Sequence, residues 1–429
     1  MKGGEGVKIK LRPLCVALCL ALILCACSPL GFQNVEDLLR APGMENAAQK
    51  ALAAHLNEEP QYVFPKEGDW RSPLVTADLD GDNVPEAVLF YRLSGTSAQT
   101  GAGENVYMAV LSQQAGAWQV VYKKDLSSPD IASVAVTHLF RDGTAQLVVG
   151  CANANFTVKT LKLYQYAKDE WYAEQISYSK YMLGDFTGEG YTDLALVSPS
   201  DTSGGMQLSF INGRGNQFNL QSSLPLHPNF SSCENIVAGQ GAEGERVLVV
   251  DGLIVSSATL ASQIFIYSTE TGSFYAPPDT TEILSATMRY SPFLHSRDID
   301  GDGQIEIPVE DKNNIATPNN DKTLHYVSWK EFSGPEVEKQ WGILDVTLAA
   351  FVRMPPAWAG RIAVEDGYAR GEWRVVNAET GEELLQMRYY SDGVQGMARA
   401  VRGNPGWYVT QGADLPPEEW DEISVVWLL

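Results

Sequence analysis

From about residue 60 to 340, short runs rich in Val, Ile, Tyr and Leu alternate with breaks of Gly, Asp and Asn. That pattern predicts many short β-strands. After the first break, EAVLFYRL (86–93), VYMAVLSQ (106–113), WQVVYKKDL (118–126) and IASVAVTHLF (131–140) give four strands in succession. The pattern upstream is different. Residues 35–59 read as a helical segment, with Leu38 and Leu39 ahead of Pro42 and ENAAQKALAAHL (45–56) carrying apolar positions at helical spacing. Beyond about 341 the rhythm stops. Residues 343–429 mix strands with one or two helices, and Trp358, Trp373, Trp407, Trp420 and Trp427 offer bulky core candidates. A separate small α+β domain is expected there.

Self-comparison turns the rhythm into a repeat. TADLDGDNVPEAVLF (76–90), LGDFTGEGYTDLALV (183–197) and SRDIDGDGQIEIPVE (296–310) are copies of one segment. HLFRDGTAQLVVG (138–150) and AGQGAEGERVLVV (238–250) fit between them as eroded copies. Aligning Gly81, Gly143, Gly188, Gly244 and Gly301 gives a mean spacing of about 55 residues, the length of four short antiparallel strands. The expected fold is therefore mainly β, with a propeller of about five four-stranded blades over 60–340. A stacked solenoid is the runner-up, and the four-strand rhythm favours the closed ring.

The N-terminus stands outside the fold. Lys2, Lys8, Lys10 and Arg12 precede an apolar core, PLCVALCLALILCA (13–26), too short for a settled membrane helix. The stretch ends Leu24-Cys25-Ala26-Cys27 and resembles the bacterial lipobox, which implies that residues 1–26 are a lipoprotein signal peptide. Cys27 would then be the acylated residue, 27–34 a lipidated stalk, and the body would sit on the outer face of the cell membrane. Two or three acyl chains, at about 0.8 kcal/mol per buried methylene, would hold the protein stably in a bilayer.

Charge and cysteine usage narrow the partners. The formal charge of -22, with 27 basic against 52 acidic groups after residue 26, would repel a phosphate backbone. No basic stripe interrupts it, so nucleic acid is excluded as a partner. Beyond the lipobox only Cys151 and Cys233 remain, so there is no disulfide framework and no C-x-x-C motif. Whether these two pair is left open by the sequence, with buried free thiols favoured.

The chemistry is concentrated in the acidic loops. In the copy Asp298-x-Asp300-Gly301-Asp302-x-Gln304-x-Glu306, side-chain oxygens fall at positions 1, 3, 5 and 9, and Gln304 offers a backbone carbonyl at position 7. A hard divalent cation wants six to eight oxygens, and clustered carboxylates without one repel each other. The first copy supplies Asp78, Asp80, Asp82 and Glu86, with the Val84 carbonyl at position 7. The middle copy is thinner: Asp185, Thr187, Glu189 and Asp193. An EF-hand would need an acid at position 12, where Leu89, Leu196 and Val309 stand, and flanking helices instead of strands. These loops resemble the calcium loops of FG-GAP and VCBS repeats. With the lipobox, the chain as a whole resembles VCBS-type lipoproteins of Gram-positive bacteria. The resemblance implies an integrin-type propeller stiffened by Ca2+, and it implies no activity.

Catalytic signatures are sparse. His55, His138, His227, His295 and His325 are scattered singly, and neither H-E-x-x-H nor G-x-S-x-G occurs. Tyr91, Tyr164, Tyr166, Trp171, Tyr172, Tyr267 and Tyr275 could form a sugar or peptide platform, although strand packing is the simpler role for most of them. The favoured reading is a non-catalytic, membrane-anchored lipoprotein whose calcium-stabilised propeller binds an envelope glycan or protein. The alternative is a polysaccharide-active lyase or hydrolase on the same scaffold. An assembly factor using 343–429 as its docking domain is a third.

Overall fold

The computed structural model describes residues 47–93, 105–140, 144–167, 170–200, 204–213, 219–315, 324–366, 372–390, 399–401, 406–411 and 415–428. The lipobox with Cys27, the stalk and the first part of the helical segment lie outside the described residues, as does Gly143. Helix α1 covers Ala47–Leu56. Among the described residues, no helix is long and apolar enough to cross a membrane.

The strands form six antiparallel sheets in chain order. The first holds β1 (Gln61–Tyr62), β2 (Leu74–Ala77), β3 (Glu86–Arg92), β4 (Tyr107–Gln114) and β5 (Ala117–Asp125). The second is β6 (Asp130–Thr137), β7 (Gln146–Ala152), β8 (Lys159–Ala167) and β9 (Glu170–Tyr178). β10 (Lys180–Gly184), β11 (Asp193–Pro199), β12 (Met206–Asn212) and β13 (Asn219–Pro225) make the third. The fourth consists of β14 (Phe230–Gln240), β15 (Arg246–Ile254), β16 (Thr259–Ser268) and β17 (Ser273–Tyr275), followed by helix α2 (Thr280–Ala286).

The fifth sheet joins β18 (Ile307–Ile315), β19 (Leu324–Glu331), β20 (Val337–Asp345) and β21 (Ala350–Arg353). The sixth comprises β22 (Ile362–Asp366), β23 (Glu372–Asn377), β24 (Glu383–Tyr389), β25 (Arg399–Ala400) and β26 (Trp407–Gln411). After the short helix α3 (Pro417–Glu422), β27 (Ser424–Trp427) returns to pair with β21 in the fifth sheet.

The near-continuous apolar runs have a structural reason. Successive side chains on a strand point to opposite faces, and here both faces are covered. On β7, Leu147, Val149 and Cys151 join a core with Val88, Phe90 and Val110 of the first sheet, whereas Val148 packs with Leu194 and Leu196 of the third. On β15, Leu248 and Val250 face the third sheet, and Val247 and Val249 face Ile305 and Ile307 toward the fifth. The second to fifth sheets thus each share one apolar layer with the sheet before and another with the sheet after. The other face of the first sheet takes helix α1, where Ala48 and Leu52 pack on Ala87, Leu89 and Tyr91. Tyr91, Tyr164 and Tyr267 are buried in these layers, so they are core and not platform. Cys151 and Cys233 are separate, buried thiols, pushed up to about 11 and about 12 by burial.

The tail departs from the expected organisation. The boundary expected at 343 falls inside β20, and β27 completes the same sheet. Trp341, Val352 and Tyr326 share one core with Trp358, Trp373, Trp407 and Trp420. A sixth sheet therefore continues the stack where an independent α+β domain was expected, without an acidic loop to announce it.

One buried ion pair fixes the approach to the last acidic loop. Arg289 and Asp251 are both fully buried, with Nη2 2.8 Å from Asp251 Oδ1. Arg289 Nη1 donates to Ser262 Oγ and the Thr287 carbonyl, each at 2.9 Å. Asp251 also accepts Ser262 Oγ at 2.6 Å, Ser296 N at 2.7 Å and Asn235 Nδ2 at 3.1 Å. Burial alone would raise the Asp251 carboxyl, but Arg289 and these donors hold it below the usual carboxylate range. Removing one partner of a buried pair strands the other charge. Arg289→Met is therefore expected to cost about 3–5 kcal/mol in urea denaturation, and a loss under 1 kcal/mol would contradict a structural role for the pair.

Candidate metal centre

The loop at 78–85 joins β2 to β3, that at 185–192 joins β10 to β11, and that at 298–305 leads into β18 across the Arg297–Glu306 bridge; cross-strand register places the copies in one frame. Ala77 faces Glu86, Thr137 faces Gln146, Gly184 faces Asp193 and Arg297 faces Glu306. The separation is nine residues in all four. In the fourth copy along the chain Gln240 faces Arg246, a loop three residues shorter. This frame corrects the glycine alignment: Gly143 falls at position 6 with Gly190 and Gly303, not at position 4 with Gly81, Gly188 and Gly301. Position 6 needs the left-handed region as much as position 4 does, with φ of 65° at Asn83, 80° at Gly190 and 88° at Gly303.

The residue at position 9 closes the loop from inside. Glu86 Oε2 accepts the Leu79 N–H at 2.8 Å, and Glu306 Oε2 accepts the Ile299 N–H at 3.0 Å. Asp193 Oδ2 takes the Phe186 and Thr187 N–H groups, both at 3.0 Å. In the second sheet Gln146 does the same without charge: Oε1 accepts Leu139 N at 2.7 Å, and Nε2 donates to the Thr144 carbonyl at 2.9 Å. The amide satisfies itself there. The two glutamates do not. Glu86 is 2% exposed and Glu306 0%, and in each the second carboxylate oxygen, Oε1, is buried with no hydrogen-bond partner.

Position 1 organises the rest of the loop. Asp78 accepts the N–H groups of Gly81 and Asn83, and Asp298 those of Gly301, Asp302 and Gly303. Asp82 takes the Val84 N–H at 2.7 Å, and Asp302 takes the Gln304 N–H at 2.8 Å. Oxygens of Asp78, Asp80 and Glu86 converge within 4.8 Å of one another, as do those of Asp298, Asp300 and Asp302. Asp82 stands outside the first trio, and Glu306 outside the second. Asp185, Thr187, Glu189 and Asp193 are not brought together in this way. In the first loop, where the buried Glu86 belongs to the trio, these all-oxygen donors fit a hard divalent cation such as Ca2+; in the last loop the three aspartates converge without Glu306. The sequence missed Lys339, whose Nζ lies 2.7 Å from Asp302 Oδ2 and 3.4 Å from Gln304 Oε1. A lone lysine in β20 gives no local signal of that contact.

Burial sets the electrostatics. It pushes Glu306 up to about 7, with the neighbouring Asp300, Asp302 and Asp298 adding to the rise against the Ile299 N–H. Asp193 is pushed up to about 6, again first by burial. Glu86 and Asp80 are raised for the same leading reason.

No protein-family description matches the chain, and no curated protein matches it. Weak likenesses to solved structures do exist. One is a hypothetical selenium-binding protein from Sulfolobus tokodaii, with a TM-score of 0.28 and 9% identity over 49% of this chain. The match spans 55% of that protein, only about half its length. Another is a Penicillium chrysogenum α-L-arabinanase complexed with arabinobiose, with a TM-score of 0.27 and 12% identity over 86% of this chain and 98% of the arabinanase. A third is an exo-β-1,3-galactanase from Phanerochaete chrysosporium, with a TM-score of 0.26 and 9% identity over 80% and 76% of the two chains. At such scores the likenesses carry no argument about activity.

A carboxyl whose folded-state pKa is raised stabilises the fold fully below its unfolded value and loses that contribution as pH rises through the folded value. For Glu306 the window runs from about pH 4.5 to about 7, and for Asp193 from about pH 3.8 to about 6. Asp251 and Glu310, both held low by their partners, lose stability only under more acid conditions. In chelator, the melting midpoint should therefore fall as pH is raised from 5 to 8. Saturating calcium should flatten or reverse that fall, and a midpoint independent of pH in chelator would contradict the burial of these acids.

Proposed function

We propose that this chain is a non-catalytic, membrane-anchored surface lipoprotein whose stacked sheets close into a calcium-stabilised propeller and present a binding face to an envelope glycan or protein. The observation that carries the calcium part is the buried Glu86, whose second oxygen has no partner and whose carboxylate converges with Asp78 and Asp80; Glu306 has the same unpartnered oxygen in the loop where Asp298, Asp300 and Asp302 converge. In the first loop Asp78, Asp80 and Glu86 would hold the ion, with Asp82 and the Val84 carbonyl close by in sequence. In the last, Asp298, Asp300 and Asp302 would hold it, backed by Glu306 and the Gln304 carbonyl. The ion would supply positive charge where buried carboxylates lack it, stiffening these two turns. The lipid anchor at Cys27 rests on the lipobox alone.

A second reading, a polysaccharide-active lyase or hydrolase, matches the names of the arabinanase and galactanase. It requires two carboxyls facing one cleft about 5–9 Å apart. Two of the interior carboxylates are engaged elsewhere. Asp251 is paired with Arg289, and Glu310 accepts His325 Nδ1 and Ser291 Oγ, each at 2.7 Å. Glu86, Asp193 and Glu306 hold their own loops.

Thermal melts of the full chain, in excess calcium and after chelation, test the first reading. A ligand at about 100 times its Kd adds about 2.7 kcal/mol per site, so saturation should raise the midpoint by about 5 °C or more. The double variant Asp78→Asn/Asp300→Asn should lose the rise, and an unchanged midpoint in the wild-type chain would remove the calcium assignment. Release of reducing ends or unsaturated sugars from envelope polysaccharide by the purified chain would replace the non-catalytic reading with the second one.

A further inference from the structure

The three acidic loops have one length and one frame, but they meet different basic groups. Around Asp78, Asp80 and Glu86, no lysine or arginine makes an ion pair among the described residues. At 298–306, Lys339 reaches across from β20 and binds Asp302, with Asp302 37% exposed and Lys339 21%. At 185–193 the cation comes from the next sheet. A Cβ placed on Gly188 would lie 1.8 Å from Arg246 Nη2 and 2.0 Å from Nη1, so the Arg246 guanidinium fills the space against the backbone of that loop. Arg246 stands where the neighbouring copies carry their position-9 acid, facing Gln240 across the shortened turn.

We propose that tethered basic side chains decide which loops take a cation: 78–86 is the open, tighter site, 298–306 is a weaker site in competition with Lys339, and 185–193 is closed by Arg246. This inference rests on the calcium reading above. The orphaned, fully buried oxygens of Glu86 and Glu306 set the two sites that call for an ion apart from 185–193. There Asp193 is shorter by a methylene, and its Oδ2 already holds two backbone N–H groups. An ammonium at 2.7 Å offers Asp302 one charge from one direction, whereas a divalent cation draws on several oxygens together. Calcium must therefore displace Lys339 from Asp302 or share that carboxylate with it.

Calorimetric titration of the full chain with calcium alone, at low ionic strength, separates the possibilities. Two sites of unequal affinity are expected. Asp78→Asn should remove the tighter one. Lys339→Met should tighten the weaker one by about two- to fivefold, the range an exposed ion pair supports, while Lys339→Arg keeps it weak. Lys339→Gln, checked by its melt, guards against a packing effect of the methionine. Two sites whose affinities ignore every Lys339 substitution would overturn this inference and leave the calcium reading standing. A third site in the wild-type chain that Asp185→Asn removes would overturn the closure by Arg246. A wild-type chain that takes up no calcium would overturn both readings.

Discussion

Four of the six sheets depend on how one turn near their start is shut. Ordering an eight-residue connection costs conformational entropy, which bonds inside the turn must offset. Here a side chain at position 9 reaches back seven residues to a backbone N–H: Glu86 to Leu79, Gln146 to Leu139, Asp193 to Phe186 and Glu306 to Ile299. The contact is buried, so whatever sits there must satisfy two oxygens, or an oxygen and an amide, without water. Gln146 manages this with Thr144. The glutamates manage only half, and the remaining oxygen is what makes an ion chemically sensible in those two loops.

Strand content and the acidic loops were legible because both follow local rules. Runs such as QLVVGCA and RVLVVDGLI are apolar at successive positions, which is how a strand buried on both faces must read. Turn glycines and aspartates at fixed offsets reflect left-handed backbone and Asx bonding within a few residues. The sixth sheet was not legible. Its strands carry the same texture, but β22 and β23 are not joined by an acidic loop, and the tryptophans that bind it to the fifth sheet look the same in any core. The apparent domain boundary was a change of loop chemistry inside a continuous stack of sheets.

Register within the eroded copies was misread for a related reason. Two positions of the loop need the left-handed region, so a single surviving glycine cannot say which of them it occupies. Only the cross-strand partners, Thr137 with Gln146, decide it. The basic groups were equally hidden. Lys339 lies more than thirty residues from Asp302 and Arg246 more than fifty from Gly188, and their meeting is a product of sheet stacking, which no local pattern encodes.

The same stacking explains why the loops need not behave as independent units. Gln240 N donates to the Gly303 carbonyl at 2.9 Å, and Ile305 N donates back to the Gln240 carbonyl at 3.0 Å, so the shortened fourth loop is bonded to the acidic fifth. Thr144 of the second loop lies 3.5 Å from where a Cβ on Gly81 would stand. Asp251, which anchors Ser296 just before the last loop, belongs to the strand that Arg246 begins. A charge placed in one loop is therefore felt by the backbone that shapes its neighbour. A chain this acidic spreads its compensation along the row: an amide holds position 9 in the second loop, a guanidinium lies against the third, and Glu86 and Glu306 keep a buried oxygen without a partner.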